Sequence, residues 1–509
     1  MSRPDTLAWF AGHEFRLGWR DWVALMTAGR RSRARTVAVA LILFAAFMHV
    51  FAYWIVARYA DADLASDTAT LVGITGTLVL SWSLLLSQAM ESVTRAFYAR
   101  SDLDLILSSP VSARKVFAVR MGRIAGAAVM IAVLLAAPFI NVLAFEGGMH
   151  WFGAYAVILA MGATATAIAV ALTVALFRTI GAKRTRFVAQ IVAAVIGAAF
   201  VIGLQIGAIQ YYGTLSRFAL LESDTMVALA PGIDSIVWWP ARAMLGDGLA
   251  LAATISVGLL ALATSIAAFS PRFADHAIAA SGVSVGVTRQ VRWSQRFRKL
   301  SPRRALRAKE FTLLRRDPWL LSQSLMQMLY LLPPALMLWH SFGEGSGPLV
   351  LMVPILVMAS GQLSGGLAWL AISGEDAPDL VATAPVAAGE IIRAKVEAVM
   401  TCIAVVFVPF VLAIALTSMI CAVVAAAGIV IAAASATQIQ LWFRAQARRS
   451  QFRRRHTASR IATFAEAFSS ITWAATAALA AAGSSVAVVT GLAGLGILAG
   501  TRLLRPPGR

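Results

Sequence analysis

Two short polar segments of this chain carry the same residue types in the same order. Leu103-Asp104-Leu105-Ile106-Leu107-Ser108-Ser109-Pro110-Val111 and Ala377-Pro378-Asp379-Leu380-Val381-Ala382-Thr383-Ala384-Pro385-Val386 match in their Asp, Leu, Pro and Val, 275 residues apart. The first set is Asp102, Asp104, Pro110, Val111 and Arg114; the second is Asp379, Pro385, Val386 and Glu390. Proline disfavours helix at the residue before it and suits the first turn of a new one. Each segment therefore reads as a short helix, a break, and a helix that re-enters the membrane. Acidic residues on such a short helix suit docking and the reception of force from a soluble partner. A single copy would read equally well as a capped loop; two copies in register favour the docking role.

The remaining reactive side chains argue against catalysis. The six histidines are scattered, without His-x-x-x-His or His-Glu-x-x-His, so neither a metal site nor an acid–base constellation is expected. No Gly-x-x-x-x-Gly-Lys-Ser/Thr loop is present to cradle nucleotide phosphates. Leu363-Ser364-Gly365-Gly366 imitates the start of an ATPase signature, but it lies in an apolar run and reads as helix packing. Polar groups inside apolar runs are few: neutral Asn141, Gln190 and Gln205, and acidic Glu466. They form a possible intramembrane polar site, with helix-to-helix hydrogen bonding as the plainer role.

The elements that must position these residues are membrane helices. The 509 residues are 59% hydrophobic and 13% charged, too apolar for a soluble surface. Runs near 36–57, 68–90, 120–144, 152–177, 187–210 and 248–270 reach the length of a crossing, as do runs near 319–340, 347–372, 396–416, 419–441, 461–482 and 485–504. The expected fold is all-α, with twelve crossings. Of the 44 Lys and Arg residues, all but Arg58, Arg217 and Arg242 fall on one side of this topology. That asymmetry explains the net charge of +20 without nucleic acid and puts both termini in the cytoplasm. The start of the chain is polar, basic and aromatic, unlike a cleavable signal. Cys402 and Cys421 fall at opposite depths and read as packing residues rather than a disulfide.

A second doublet precedes each set of crossings. Glu14-Phe15 with Arg20-Asp21 recurs as Glu310-Phe311 with Arg316-Asp317, 296 residues apart. These aromatic, charged stretches suit helices lying in the headgroup layer, or flanks that stop translocation. Together the matches suggest an internal duplication. Six crossings per half is even, so the repeat is parallel. The halves are expected at 1–271 and 301–509, joined by a basic cytoplasmic linker, 272–300. That linker and the arginine-rich loop 443–460 suit anionic lipid heads. The first half has a longer outer loop, 211–247, whose Trp238-Trp239 pair suits an outer interface or a re-entrant hairpin.

With Glu91 followed by Asp102-Leu103-Asp104-Leu105-Ile106-Leu107-Ser108-Ser109-Pro110-Val111-Ser112-Ala113-Arg114-Lys115-Val116-Phe117, the chain resembles the permease subunits of ABC-2-type ABC exporters. The resemblance implies six crossings per unit, an N-terminal interfacial helix, and a coupling helix between crossings two and three that docks on an ATPase subunit. Asp102, Asp104, Pro110, Val111 and Arg114 would carry that docking. Asp379, Pro385, Val386 and Glu390 would carry it in the second half, where Ala387-Ala388-Gly389 replaces Ser112-Ala113-Arg114. It further implies no cofactor in this chain, ATP and Mg bound by a separate soluble ATPase, two copies of that partner, the inner membrane as location, and outward movement of a substrate that no residue names. The alternative is an ion-coupled secondary transporter of 6+6 topology, in which Glu466 would be the carrier residue.

Overall fold

Continuous apolar runs, not alternating ones, dominate this chain, and a backbone in hydrocarbon must satisfy its polar groups within one segment, which a helix does. The computed structural model describes residues 7–27, 34–57, 67–98, 112–212, 223–273, 301–316, 347–373, 383–443 and 460–503, with a few single positions between them. Those residues are helices and short connections. The chain divides into two compact units, residues 1–204 with 216–287, and residues 205–215 with 288–509.

The first unit contains α1 (Leu7–Thr27), α2 (Ala34–Val56), α3 (Thr68–Tyr98), α4 (Ala113–Gly147), α5 (Gly153–Ile180) and most of α6 (Ala182–Tyr212). Two short helices, α7 (Asp224–Leu229) and α8 (Trp239–Met244), precede α9 (Gly248–Phe269). Capping fixes the starts. Asp67 accepts from the backbone N–H groups of Ala69 and Thr70 at 3.3 and 3.0 Å. Asp247 caps α9 through Leu249 and Ala250. Small residues let helices touch: a Cβ added to Gly258 of α9 would lie 2.8 Å from the Ala160 Cα of α5.

The second unit contains α10 (Pro302–Arg316), α11 (Gly347–Ser373), α12 (Ala388–Ala415), α13 (Met419–Phe443), α14 (Arg460–Ala481) and α15 (Val486–Leu503). Met352, Leu356, Ile403 and Phe407 anchor its core against an alanine face of α13 that includes Ala425, Ala432 and Ala433. Cys421 is buried there and Cys402 packs against the same core; both are free. The tight return from α14 to α15 closes at Gly483, whose φ of +70° suits glycine.

Among the described residues, nine helices are long and apolar enough to cross a membrane: α3, α4, α5, α6, α9, α11, α12, α13 and α15. The surface agrees, because Phe44, Phe47 and Trp54 of α2, Leu134 and Leu135 of α4, and Val488 and Leu492 of α15 are widely exposed. Such a belt is stable only against lipid or another apolar surface. The chain is an all-helical, multi-pass membrane protein. The other three expected crossings fare differently. The described apolar part of α2 is the short Leu41–Val56. Arg460, Glu466 and several hydroxyls dilute α14. The crossing near 319–340 lies outside the described residues apart from isolated positions.

The loop 211–247 corrects one expectation. Trp238 is 3% exposed and does not face an outer interface. It packs in a cluster with Leu71, Val72 and Ala241, and its indole N–H donates to the Gly232 carbonyl at 3.1 Å. It anchors the loop rather than presenting it to lipid.

Candidate functional site

The helices that follow the two polar segments, α4 and α12, start alike. α4 starts at Ala113 and α12 at Ala388. The two starts are offset by 275 residues, the spacing of the polar segments. The residues before the new helices share an extended backbone, Ser112 at φ −64°, ψ 135° and Ala387 at φ −62°, ψ 135°. Arg120 reaches back to the Ala96 carbonyl at 3.4 Å, and Lys395 reaches back to the Ala371 carbonyl. Those two pairs also differ by 275 residues. Each cation therefore sits on the negative, carbonyl end of the preceding helix.

A buried glutamate ties the first helix of each unit to the helix that starts after the break, at positions about one turn apart in the two units. Glu14 of α1 is 9% exposed and pairs with Arg123 of α4 at 3.3 Å. Glu310 of α10 is fully buried and pairs with Lys395 of α12 at 3.0 Å and with its neighbour Lys309 at 3.1 Å. Neighbouring helix residues point about 100° apart, so the following phenylalanines turn outward. Phe15 is 73% exposed and Phe311 39%. One side of each helix is thus locked by charge while an aromatic faces away. The sequence reading missed that Arg123, one turn beyond Arg120, holds Glu14; an i+3 repeat of arginine is the signal that could have found it.

The second unit adds further ties. Arg303 donates to Glu390 at 3.0 Å, Arg307 pairs with Glu397, and Arg393 donates to Glu397 at 3.0 Å. Glu390, expected on a docking surface, thus also binds α10 to α12. The first unit instead has an aromatic knot. Phe97 lies 6.2 Å from Phe117, 5.2 Å from Phe177 and 5.4 Å from Phe273, ring centre to ring centre. Phe97, Phe117 and Phe273 are essentially inaccessible. This cluster stiffens the end of α3 and the start of α4.

The polar segments are only partly described. Asp102, Asp104, Pro110, Val111 and Asp379 lie outside the described residues. Arg114 is exposed on the first turn of α4. Pro385 is exposed and Val386 half-buried in a bend where the Val386 N–H donates to the Ala384 carbonyl at 2.7 Å. α12 starts directly after this bend, as a proline break requires.

The intramembrane polar residues have separate surroundings. In the first unit, Tyr155 donates to the Asn141 Oδ1 at 2.7 Å, and the Asn141 Nδ2 faces the His49 Nε2 at 3.2 Å. The His49 Nδ1 lies 2.7 Å from the Ala45 carbonyl, so a neutral ring donates there and accepts from Asn141. The Gln190 Oε1 is buried without a partner. Gln205 is half-buried on α6. In the second unit, Gln440 donates to Glu466 at 2.6 Å; the sequence reading did not single out Gln440. No group of three or more potential metal ligands occurs among the described residues. Compared with protein-family models, curated proteins and solved structures, the chain matches none of them.

Proposed function

We propose that the chain is the membrane-spanning permease subunit of an ATP-driven exporter, energised by a separate soluble ATPase. The observation that carries this reading is the doubled helix break with its clamp. In each unit an interfacial helix is tied by a buried glutamate to the helix that starts after a Pro-Val segment, and a cation bridges back to the preceding helix. A push on either segment is then shared by three helices rather than absorbed in a loop. Strong positive-inside bias supports a cytoplasmic position for both segments, where a soluble motor could reach them. The 275-residue offset of the two breaks supports two fused six-crossing halves in an inner membrane, and hence two ATPase copies on one chain. ATP and Mg would be held by that partner; this chain would bind, seal and rock.

The test is gentle purification from native membranes with mass spectrometry of co-purifying proteins. A stoichiometric soluble partner bearing a phosphate loop, at two copies per chain, is the expected result. Recovery of the chain without any ATPase, even after crosslinking, would remove this reading in favour of an ion-coupled carrier.

A further inference from the structure

α14 carries a single acidic residue, Glu466, roughly two turns from its start. Its carboxylate rests on Gly365 of α11, where an added Cβ would overlap it, and one oxygen accepts from the Gln440 amide of α13 at 2.6 Å. Among the described residues no cation stands within ion-pair distance of it. α11 and α13 carry no Asp, Glu, Lys, Arg or His. On α14 the other charge is Arg460, and on α15, which packs on α14, it is Arg502, exposed in the last turn. On α12, Glu390, Arg393, Lys395 and Glu397 are engaged with one another or with α10. Arg444 follows α13 in the sequence, outside the described residues. A carboxylate held among apolar helices without a counter-charge is strongly disfavoured, and binding a proton removes that penalty.

A second observation points the same way. One turn along α14, Ser469 and Ser470 are each 1% exposed, and Thr437 of α13 is 2% exposed. All three hydroxyls are buried without a hydrogen-bond partner, as is the Trp473 indole N–H beyond them. Ser470 faces Gly361, one turn from Gly365 on α11. Buried polar atoms are normally satisfied, so unsatisfied hydroxyls within about a turn of an acid that has no cation beside it among the described residues mark a place where something polar passes or binds.

We infer that Glu466 binds a proton inside the second unit, with Gln440 orienting the carboxyl and the Ser469, Ser470 and Thr437 hydroxyls forming the polar approach to it. The proton is taken from water onto the carboxyl oxygen that Gln440 does not hold, and it returns to water. This holds whichever partner energises the chain. The test is labelling of the full chain in lipid nanodiscs with dicyclohexylcarbodiimide, which reacts with protonated carboxyls in apolar surroundings, followed by peptide mass spectrometry. The expected result is labelling of Glu466 at neutral pH, where the exposed Asp224 and Asp234 stay unlabelled, falling as pH rises and unchanged when sodium or potassium replaces choline. Glu466→Gln abolishes it. Gly365→Ala, which pushes a methyl into the carboxyl's seat, lowers it several-fold, whereas Gly366→Ala, facing open space, leaves it unchanged. Absence of labelling at every pH would show a carboxylate balanced by a cation such as Arg444 and overturn the proposal. Protection by sodium or potassium would overturn it in favour of a metal-cation site. The wild-type pH and salt series decides the matter even where a variant fails to fold.

Discussion

Lys395 lies 3.0 Å from Glu310, and the glutamate is fully buried while the lysine side chain keeps 12% of its surface. The pair joins α10 to the start of α12, and the lysine also reaches the last turn of α11. Removing one member of a buried pair costs about 3–5 kcal/mol, because the other charge is left without a partner. Glu310→Gln removes the buried carboxylate that Lys395 and Lys309 share and should lower thermal stability in nanodiscs strongly, whereas Lys395→Met should cost less, because Lys309 stays 3.1 Å from Glu310. The double variant should recover much of the loss, a coupling that a double-mutant cycle measures directly.

The outer ties of the same helix should behave differently. Arg303 and Glu390 are 66% and 33% exposed at their side chains. Exposed pairs contribute about 0–1 kcal/mol. Arg303→Ala should leave the melting temperature nearly unchanged. If α10 transmits force, it should still reduce substrate-stimulated ATPase activity in the reconstituted complex.

Phe97 makes ring contacts with Phe117, Phe177 and Phe273. Phe97→Ala should cost about 3–5 kcal/mol. Phe97→Leu should cost less, since it keeps most of the volume. Chemical-denaturation midpoints of the two variants give the comparison.

Asp67 sets a pH dependence at the start of α3. The hydrogen bond from the Thr70 hydroxyl, then that from the Thr70 backbone N–H, holds its carboxyl below the ordinary carboxylate range. A depressed folded value means that the cap contributes fully above the unfolded value, about 3.9, and is lost as pH falls through the folded one. Asp67→Ala should cost about 0.5–2 kcal/mol at neutral pH and nothing once the wild-type carboxyl is protonated. Melting curves at neutral and strongly acidic pH test the difference.

Charge reversal at Asp104 together with Asp379 should uncouple ATP hydrolysis from transport while leaving the chain folded. Stimulated ATPase and transport measured on the same reconstituted complex test this, and normal transport by that variant would count against the docking role.

Much of the fold was legible because the membrane imposes it. Apolar runs of bilayer length have one stable backbone, the helix. Matching residues at a fixed offset marked the helix breaks before Ala113 and Ala388, because proline chemistry is local. Each of the nine qualifying spans overlaps a run the sequence marked out, and six of them extend past it. The weak hydropathy of α14 shows the limit of that signal, since Glu466 and its hydroxyls dilute a helix whose polar side is covered by α11 and α13.

The pairings were a different matter. That Glu14 meets Arg123, that Glu466 meets Gln440 on Gly365, and that Trp238 turns inward all depend on which helix faces lie together. No local pattern fixes those faces in a helix apolar all round, because hydrocarbon and a neighbouring helix ask for the same side chains. The sequence by itself determined membrane helices, their breaks and the distribution of charge. Only the tertiary structure decided which polar groups are partnered, because that follows from close packing of small residues rather than from periodicity.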